Sequence, residues 1–303
     1  MKTIALTGAT SMTGLALIKQ CIKRNTSVIA FVRPDSGNIY RLPESSLIKP
    51  VECSLENIGN FNLPESCSKA DVFYHIGWVN NSREKRGSCR LQAENIPYAI
   101  DTVQMAKKMQ CSRYIFLGSQ AEVGLTNKPI NPETFINPVS ADGIANYAAG
   151  KITGIECNAQ GLEHIWVRLV SEYGPHDHKD RLIKQFIKNC KNGIPIDLGD
   201  CTKIWDYLYE DDAGEALYLI GLKGHNGKMY TLGSGTGRPQ KEYLEIIKNK
   251  INPEYRPNYG AKKSSENDIL YLAADISELS RDTGWQPKVS FEEGIDAVIK
   301  EVL

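Results

Sequence analysis

The sequence reads as an α/β protein, with a mostly parallel sheet covered by helices on both faces. Short apolar, β-branched runs alternate with stretches of helical periodicity, and a glycine-bearing turn divides the first run from the first helix. The hydrophobic fraction of 41% and charged fraction of 24% are those of an ordinary folded chain.

Residues 2–7 form the first strand-like run. A Gly/Thr/Ser turn follows, then a helical pattern through Leu15, Ala16, Ile18, Cys21 and Ile22. Val28-Ile29-Ala30-Phe31-Val32 completes a β-α-β unit in roughly thirty residues. Further strands are expected at Asp71–His75, Arg113–Leu117 and His164–Leu169, with helices around 90–109 and 143–161 between them. After about residue 170 the chain carries shorter helices, more Pro and Gly, and irregular connections at 174–181 and 252–268. The expected organisation is a first domain over 1–169, completed by about 200–225. A smaller, interleaved C-terminal α/β domain is expected from 170–199 and 226–303, where a substrate would bind.

The 36 Lys+Arg balance the 36 Asp+Glu, so the net charge is zero. That argues against nucleic acid or an anionic membrane held by bulk charge. No apolar run approaches the ~18 residues of a membrane span. The N-terminus runs straight into the turn without the apolar core of a signal peptide, so a cytoplasmic protein is expected. Eight scattered cysteines with no C-x-x-C fit reduced thiols. The histidines make no metal motif; His176-x-His178 is the nearest approach, and no metal is expected.

Thr7-Gly8-Ala9-Thr10-Ser11-Met12-Thr13-Gly14 follows a strand and opens a helix. A dinucleotide pyrophosphate sits against N–H groups at such a helix start, and residues without Cβ let the backbone approach it. Gly8 supplies the tight turn and Gly14 the close helix–sheet contact, with Thr10, Ser11 and Met12 lining the turn. Ser11 stands at the middle glycine position, where its hydroxyl is itself a phosphate ligand candidate. At the end of the second strand, Val32 and Arg33 occupy the place where an NAD site usually has an acid. Arg33 either pairs with a 2′-phosphate, which favours NADP over NAD, or is a solvated surface arginine.

Tyr147-Ala148-Ala149-Gly150-Lys151 lies on an expected helix, and a spacing of four puts both long side chains on one face. An ammonium beside a phenol stabilises phenolate, lowering a tyrosine from about 10. The pair is therefore an acid/base candidate, and Ser119, at the end of the strand carrying Tyr114-Ile115-Phe116-Leu117, is positioned to bond the same substrate oxygen. By itself Y-x-x-x-K is also a common surface pair.

In company, these motifs resemble the extended short-chain dehydrogenase/reductase family of sugar-nucleotide epimerases, dehydratases and reductases. The resemblance runs from Thr7–Gly14 through Asp71–Gly77, Asn95, Gly118–Gly124, Tyr147/Lys151, Arg168 with Tyr173-Gly174-Pro175, and Trp205–Asp212, to Ala274–Leu279 with Thr283–Pro287. It implies a Rossmann-type doubly wound sheet and a homodimer. It implies Tyr147 as acid/base, Lys151 on the nicotinamide ribose and tuning Tyr147, Ser119 orienting the reacting oxygen, and Gly77 and Asn95 at the cofactor. Substrate contacts are expected from Trp78, Gln120, Ser171, His176 and Arg181, with Asn80 and Asn81 beside the cleft and His75 packed under the cofactor.

The chain departs from the pattern in places. Gln120 and Ala121 replace the Asp-Glu of the dehydratases, and Val123 a tyrosine. Trp205 stands where an arginine often binds the nucleotide diphosphate, and Ser171 where an asparagine is usual. The loop 262–268 lacks the expected arginine. Lys179, Arg181, Arg238, Lys262 and Lys263 are candidate replacements or solvated surface charges. The expected function is NADP-dependent reduction of a keto group on a nucleotide-linked 6-deoxy sugar. The alternatives are a 4-epimerase using the same residues and a non-catalytic NADP-binding regulator.

Overall fold

The computed structural model describes residues 1–34, 36–263 and 268–303. Seven parallel strands form the central sheet: β1 (Thr3–Thr7), β2 (Ser27–Val32), β3 (Ile48–Glu52), β4 (Val72–His75), β5 (Arg113–Ser119), β6 (Glu163–Leu169) and a late strand, Met229–Leu232. Two-residue strands β7 (Glu172–Tyr173), β8 (Ile204–Trp205) and β9 (Leu208–Tyr209) intervene, so the late strand is β10. The order across the sheet is β3-β2-β1-β4-β5-β6-β10.

Both faces of this sheet are buried, and the sequence alternates to suit. Along β1 and β2, Ile4, Leu6, Val28, Ala30 and Val32 face one core, while Ala5, Ile29 and Phe31 face the other. Helices α1 (Met12–Lys23), α2 (Cys89–Ala93), α3 (Asn95–Lys108), α4 (Ala141–Gln160), α5 (Leu182–Asn192) and α6 (Glu210–Lys223) follow in chain order. α1 and α6 cover the first face through Leu17, Ile18, Ala213 and Leu217. α3 and α4 cover the second through Ala99, Val103, Ala149 and Cys157. Gly214 brings α6 against α1; a Cβ there would lie 2.4 Å from the Ala16 carbonyl oxygen.

The remaining elements are β11 (Arg238–Pro239), α7 (Gln240–Ile251), β12 (Tyr271–Leu272), α8 (Ser277–Thr283) and α9 (Phe291–Val302). α5, α7 and α9 enclose a separate core around Tyr173, Phe186, Tyr243, Phe291 and Ile295. β8 pairs with β11 and β12, and β7 with β9.

The sheet differs from the sequence expectation at both edges. β3 carries Pro50, which lacks a donor and is tolerated at an edge. At the other edge β10 lies beyond residue 225, where the first domain was expected to be complete. The helix expected over 90–109 is divided at Glu94 into α2 and α3. Among the described residues, no helix is long and apolar enough to cross a membrane.

Candidate active site

The strand order reverses at β1, because the chain runs outward to β2 and β3 and then returns to β4. The crevice beyond the carboxyl ends of β1 and β4 is therefore the topological switch point. Three glycines let backbones meet there. Gly8 has φ +72, and a Cβ on it would lie 2.8 Å from the Gly77 nitrogen. A Cβ on Gly14 would lie 2.3 Å from the Gly8 carbonyl oxygen. Thr7 fastens the same crossing: its hydroxyl accepts from the N–H groups of Ile76 (3.2 Å) and Gly77 (3.1 Å). Its remaining hydrogen bond, 3.2 Å long, goes to His75 Nδ1. His75 is fully buried and burial pushes its pKa down to about 3, so it is neutral and stacked on Phe116. It packs beneath the crevice.

Ser11 is the N-cap of α1, accepting from Gly14 N–H (3.1 Å) and donating to the Gly8 carbonyl (2.7 Å). Its hydroxyl therefore closes the turn. With the Gly14 N–H capped by Ser11, the first-turn N–H groups of Met12 and Thr13 are the ones open to an anion. The absence of Cβ atoms and the open helix start fit a pyrophosphate. Thr10 is half-buried beside the exposed Ser11, and Met12 begins the helix.

Val32 is buried at the end of β2; Arg33 is exposed and makes no ion pair among the described residues. Asp35 lies outside the described residues, as do Ser264–Asn267 of the loop proposed to replace a diphosphate-binding arginine. Asn95, expected at the cofactor, bonds backbone with its amide. Its Oδ1 accepts from Val79 N–H (2.8 Å), and its Nδ2 donates to the Val79 carbonyl (3.2 Å). It therefore shapes the loop after β4. Buried Gln92 assists by accepting from the Trp78 indole (2.9 Å) and donating to the Asn80 carbonyl (2.9 Å).

Tyr147 and Lys151 lie on one face of α4, with Lys151 Nζ 6.0 Å from the Tyr147 ring centroid. Tyr147 is half-buried and packs on Trp166, 5.8 Å between centroids. Ser119 ends β5 and caps a 3₁₀ turn over Gln120–Glu122, its oxygen accepting from Ala121 N–H (3.2 Å). Its hydroxyl donates to no group among the described residues. α4 sits directly on this turn, since a Cβ on Gly143 would lie 2.2 Å from the Ala121 carbonyl oxygen. The Gln120 Oε1 is buried without a partner among the described residues.

The opposite wall follows β6. Ser171 was expected at the substrate, and its hydroxyl accepts from the Trp205 indole (3.0 Å). His176, expected at the substrate, is held by Glu210, whose carboxylate takes both its backbone N–H (3.1 Å) and its Nδ1 (2.6 Å). Arg181 is exposed at the N-cap of α5, 3.9 Å from Asp177, and Arg86 is electrostatically coupled to it from the loop after β4. Arg238 is paired with Glu292 at 2.7 Å, and Lys179, Lys262 and Lys263 are exposed. Sequence reading passed over Gln92, Glu122, Glu172 and Glu210. Gln92, Glu172 and Glu210 act on partners distant in the chain, so no local pattern marks them; Glu122 stands three residues after Ser119, the spacing of a capping box, and that was the signal available.

The model of the NAD dependent epimerase/dehydratase family matches residues 4–233. The chain therefore belongs to that family and is an enzyme. A putative UDP-glucose 4-epimerase of Methanocaldococcus jannaschii is 25% identical, over 98% of this chain and 97% of its own. A dTDP-4-dehydro-6-deoxyglucose reductase of Escherichia coli is 23% identical, over 99% and 97%. The crystal structure of UDP-glucose 4-epimerase with UDP-glucose from Thermotoga maritima superposes with a TM-score of 0.86 at 21% identity, covering 99% and 98% of the two chains.

Proposed function

We propose that this family member reduces a keto group on a nucleotide-linked 6-deoxy sugar, with NADP as cofactor. The observation that carries the reading is the Tyr147–Lys151 pair on α4, packed on the turn that presents the free hydrogen of Ser119. When bound, the nicotinamide supplies the hydride. Tyr147 holds the proton that the carbonyl oxygen receives, Lys151 sets a cation beside the phenol, and Ser119 donates a hydrogen bond to the same oxygen. Gly8, Gly14 and Gly77 give the pyrophosphate its slot against the start of α1.

Exposed Arg33 after buried Val32 supports NADP, because a 2′-phosphate needs a cation where an NAD site has an acid. Gln120 and Ala121 cannot titrate, and the third residue of that turn, Glu122, has both oxygens bonded within the core. Elimination across C5–C6 therefore lacks its acid/base pair, which leaves reduction or epimerisation. The family description and the archaeal relative favour the second reading, a 4-epimerase that oxidises and re-reduces one carbon.

Mixing the enzyme with 4-keto-6-deoxy sugar nucleotides and NADPH separates the two. Stoichiometric loss of NADPH absorbance supports the reductase; interconversion of hydroxyl epimers without net consumption supports the epimerase. Tyr147→Phe is expected to keep fold and cofactor binding and to lose on the order of 10²–10⁴ in rate. Arg33→Ala is expected to weaken NADPH by roughly 1.5–3 kcal/mol and to leave NADH nearly unchanged. Equal wild-type affinities for the two cofactors would refute the NADP assignment.

A further inference from the structure

One buried carboxylate joins the two halves of the proposed catalytic machinery. Glu122 Oε1 accepts from Ser119 N–H (2.8 Å) and from the Trp166 indole N–H (3.3 Å), and Oε2 accepts from Arg168 Nε (3.0 Å). Glu122 and Arg168 are wholly buried. Gly118 makes the room, since a Cβ there would lie 2.0 Å from Glu122 Oε1 and 2.5 Å from Trp166 Nε1. The indole held in this way is the seat of α4. Tyr147 packs on it at 5.8 Å, and a Cβ on Gly150 would lie 2.3 Å from Trp166 Cζ2.

We infer that Glu122 is a positioning residue, setting Ser119 through its own turn and the Tyr147 ring through Trp166. The inference rests on the reading of Tyr147 as proton donor. Its chemistry explains why the residue is an acid. Three donors converge on it: an amide, an indole and a guanidinium. An ionised carboxylate accepts from all three, whereas a glutamine turns its NH₂ against one of them. Arg168 supplies the compensating charge that lets the carboxylate remain in the core.

The test is a near-UV titration of the Tyr147 phenolate in the full chain with NADP⁺ present. Each spectrum is referenced to the same protein carrying Tyr147→Phe. Trp166→Phe keeps an aromatic ring under α4 and deletes one N–H, so it serves even where Glu122→Gln does not fold. Both variants are expected to displace the phenolate midpoint by an amount corresponding to ~10-fold in proton affinity. kcat with a 4-keto-6-deoxy sugar nucleotide and NADPH is expected to fall on the order of 10–10²-fold, with the KM for NADPH changed less than about twofold. A midpoint unmoved in Trp166→Phe overturns the inference. Absence of wild-type turnover with every keto-sugar nucleotide instead overturns the reductase reading, and the titration still decides the role of Glu122.

Discussion

Glu122 and Glu172 are two carboxyls that meet their surroundings differently. Glu122, under α4, faces a guanidinium, an indole and an amide, and both of its oxygens are bonded. Glu172, under the start of α1, has one bond, from the Thr13 hydroxyl (2.6 Å), and its Oε1 is buried without a partner among the described residues. Its charged neighbours are Glu210 and Asp177, both repulsive. Burial raises both carboxyls, but at Glu122 the Arg168 charge opposes the rise, whereas Glu172 is pushed up to about 8. A carboxyl held inside the fold thus has two settings here: beside a cation that opposes the rise, or beside other acids that add to it. Thr13 belongs to the turn that would cradle a pyrophosphate, where a neutral Glu172 adds no negative charge.

Breaking the first setting has the largest expected effect. Arg168→Met leaves Glu122 alone in the core and is expected to cost about 3–5 kcal/mol in urea unfolding. The double variant Glu122→Leu/Arg168→Met is expected to lose less than the single one; a larger loss would show that the pair is held by something other than charge compensation.

The second setting is read by pH. Folded Glu172 keeps its proton to about 8, while the unfolded side chain releases it near the ordinary value of 4.5. Between those values the folded state binds the extra proton, so stability falls as pH rises, by up to about 1.4 kcal/mol per unit. His75 and His164, pushed down by burial to about 3 and about 4, work in the opposite sense below their ordinary value of 6.5. The decline therefore stands clear from pH 6.5 to 8, where it amounts to roughly 2 kcal/mol. Glu172→Gln is expected to abolish it in thermal melts across that interval. A wild-type melt flat from 6.5 to 8 would mean that Glu172 is already ionised.

The smallest effect sharpens the comparison from the helix side. Thr13→Val keeps shape and removes the one bond that favours the charged form of Glu172. A loss of about 1 kcal/mol at pH 7 is expected, with the alkaline end of the decline moved upward. An unchanged pH profile would mean that Thr13 does not sense the carboxyl.

The glycine turn, the first β-α-β unit and Y-x-x-x-K were legible because each is a local pattern whose period or spacing carries its geometry. β3 was not, because Val51 is its one fully buried side chain and Pro50 interrupts it. Asn95, Ser11 and Ser171 were read as ligand contacts, and the structure shows the backbone and indole bonds that hold each of them in place. Polar side chains near a site look alike in sequence whether they face a ligand or hold the loop that does. The Glu122–Arg168 and Glu172–Thr13 contacts span 46 and 159 residues, and they exist once the sheet has formed.

The meeting of Gly8, Gly14 and Gly77 also limits how this site can diversify. Main chain meets main chain there, and the one side chain at the crossing, Thr7, is itself bonded to the Ile76 and Gly77 N–H groups, so the slot has little adjustable width. A change of cofactor preference by substitution inside the turn would push strands apart before it altered recognition. On the proposed reading, selectivity would be left to the rim beyond β2, where Arg33 stands in solvent and can be exchanged without disturbing the fold. The handle of the lock is fixed in the sheet; the part that distinguishes keys is the one built on its surface.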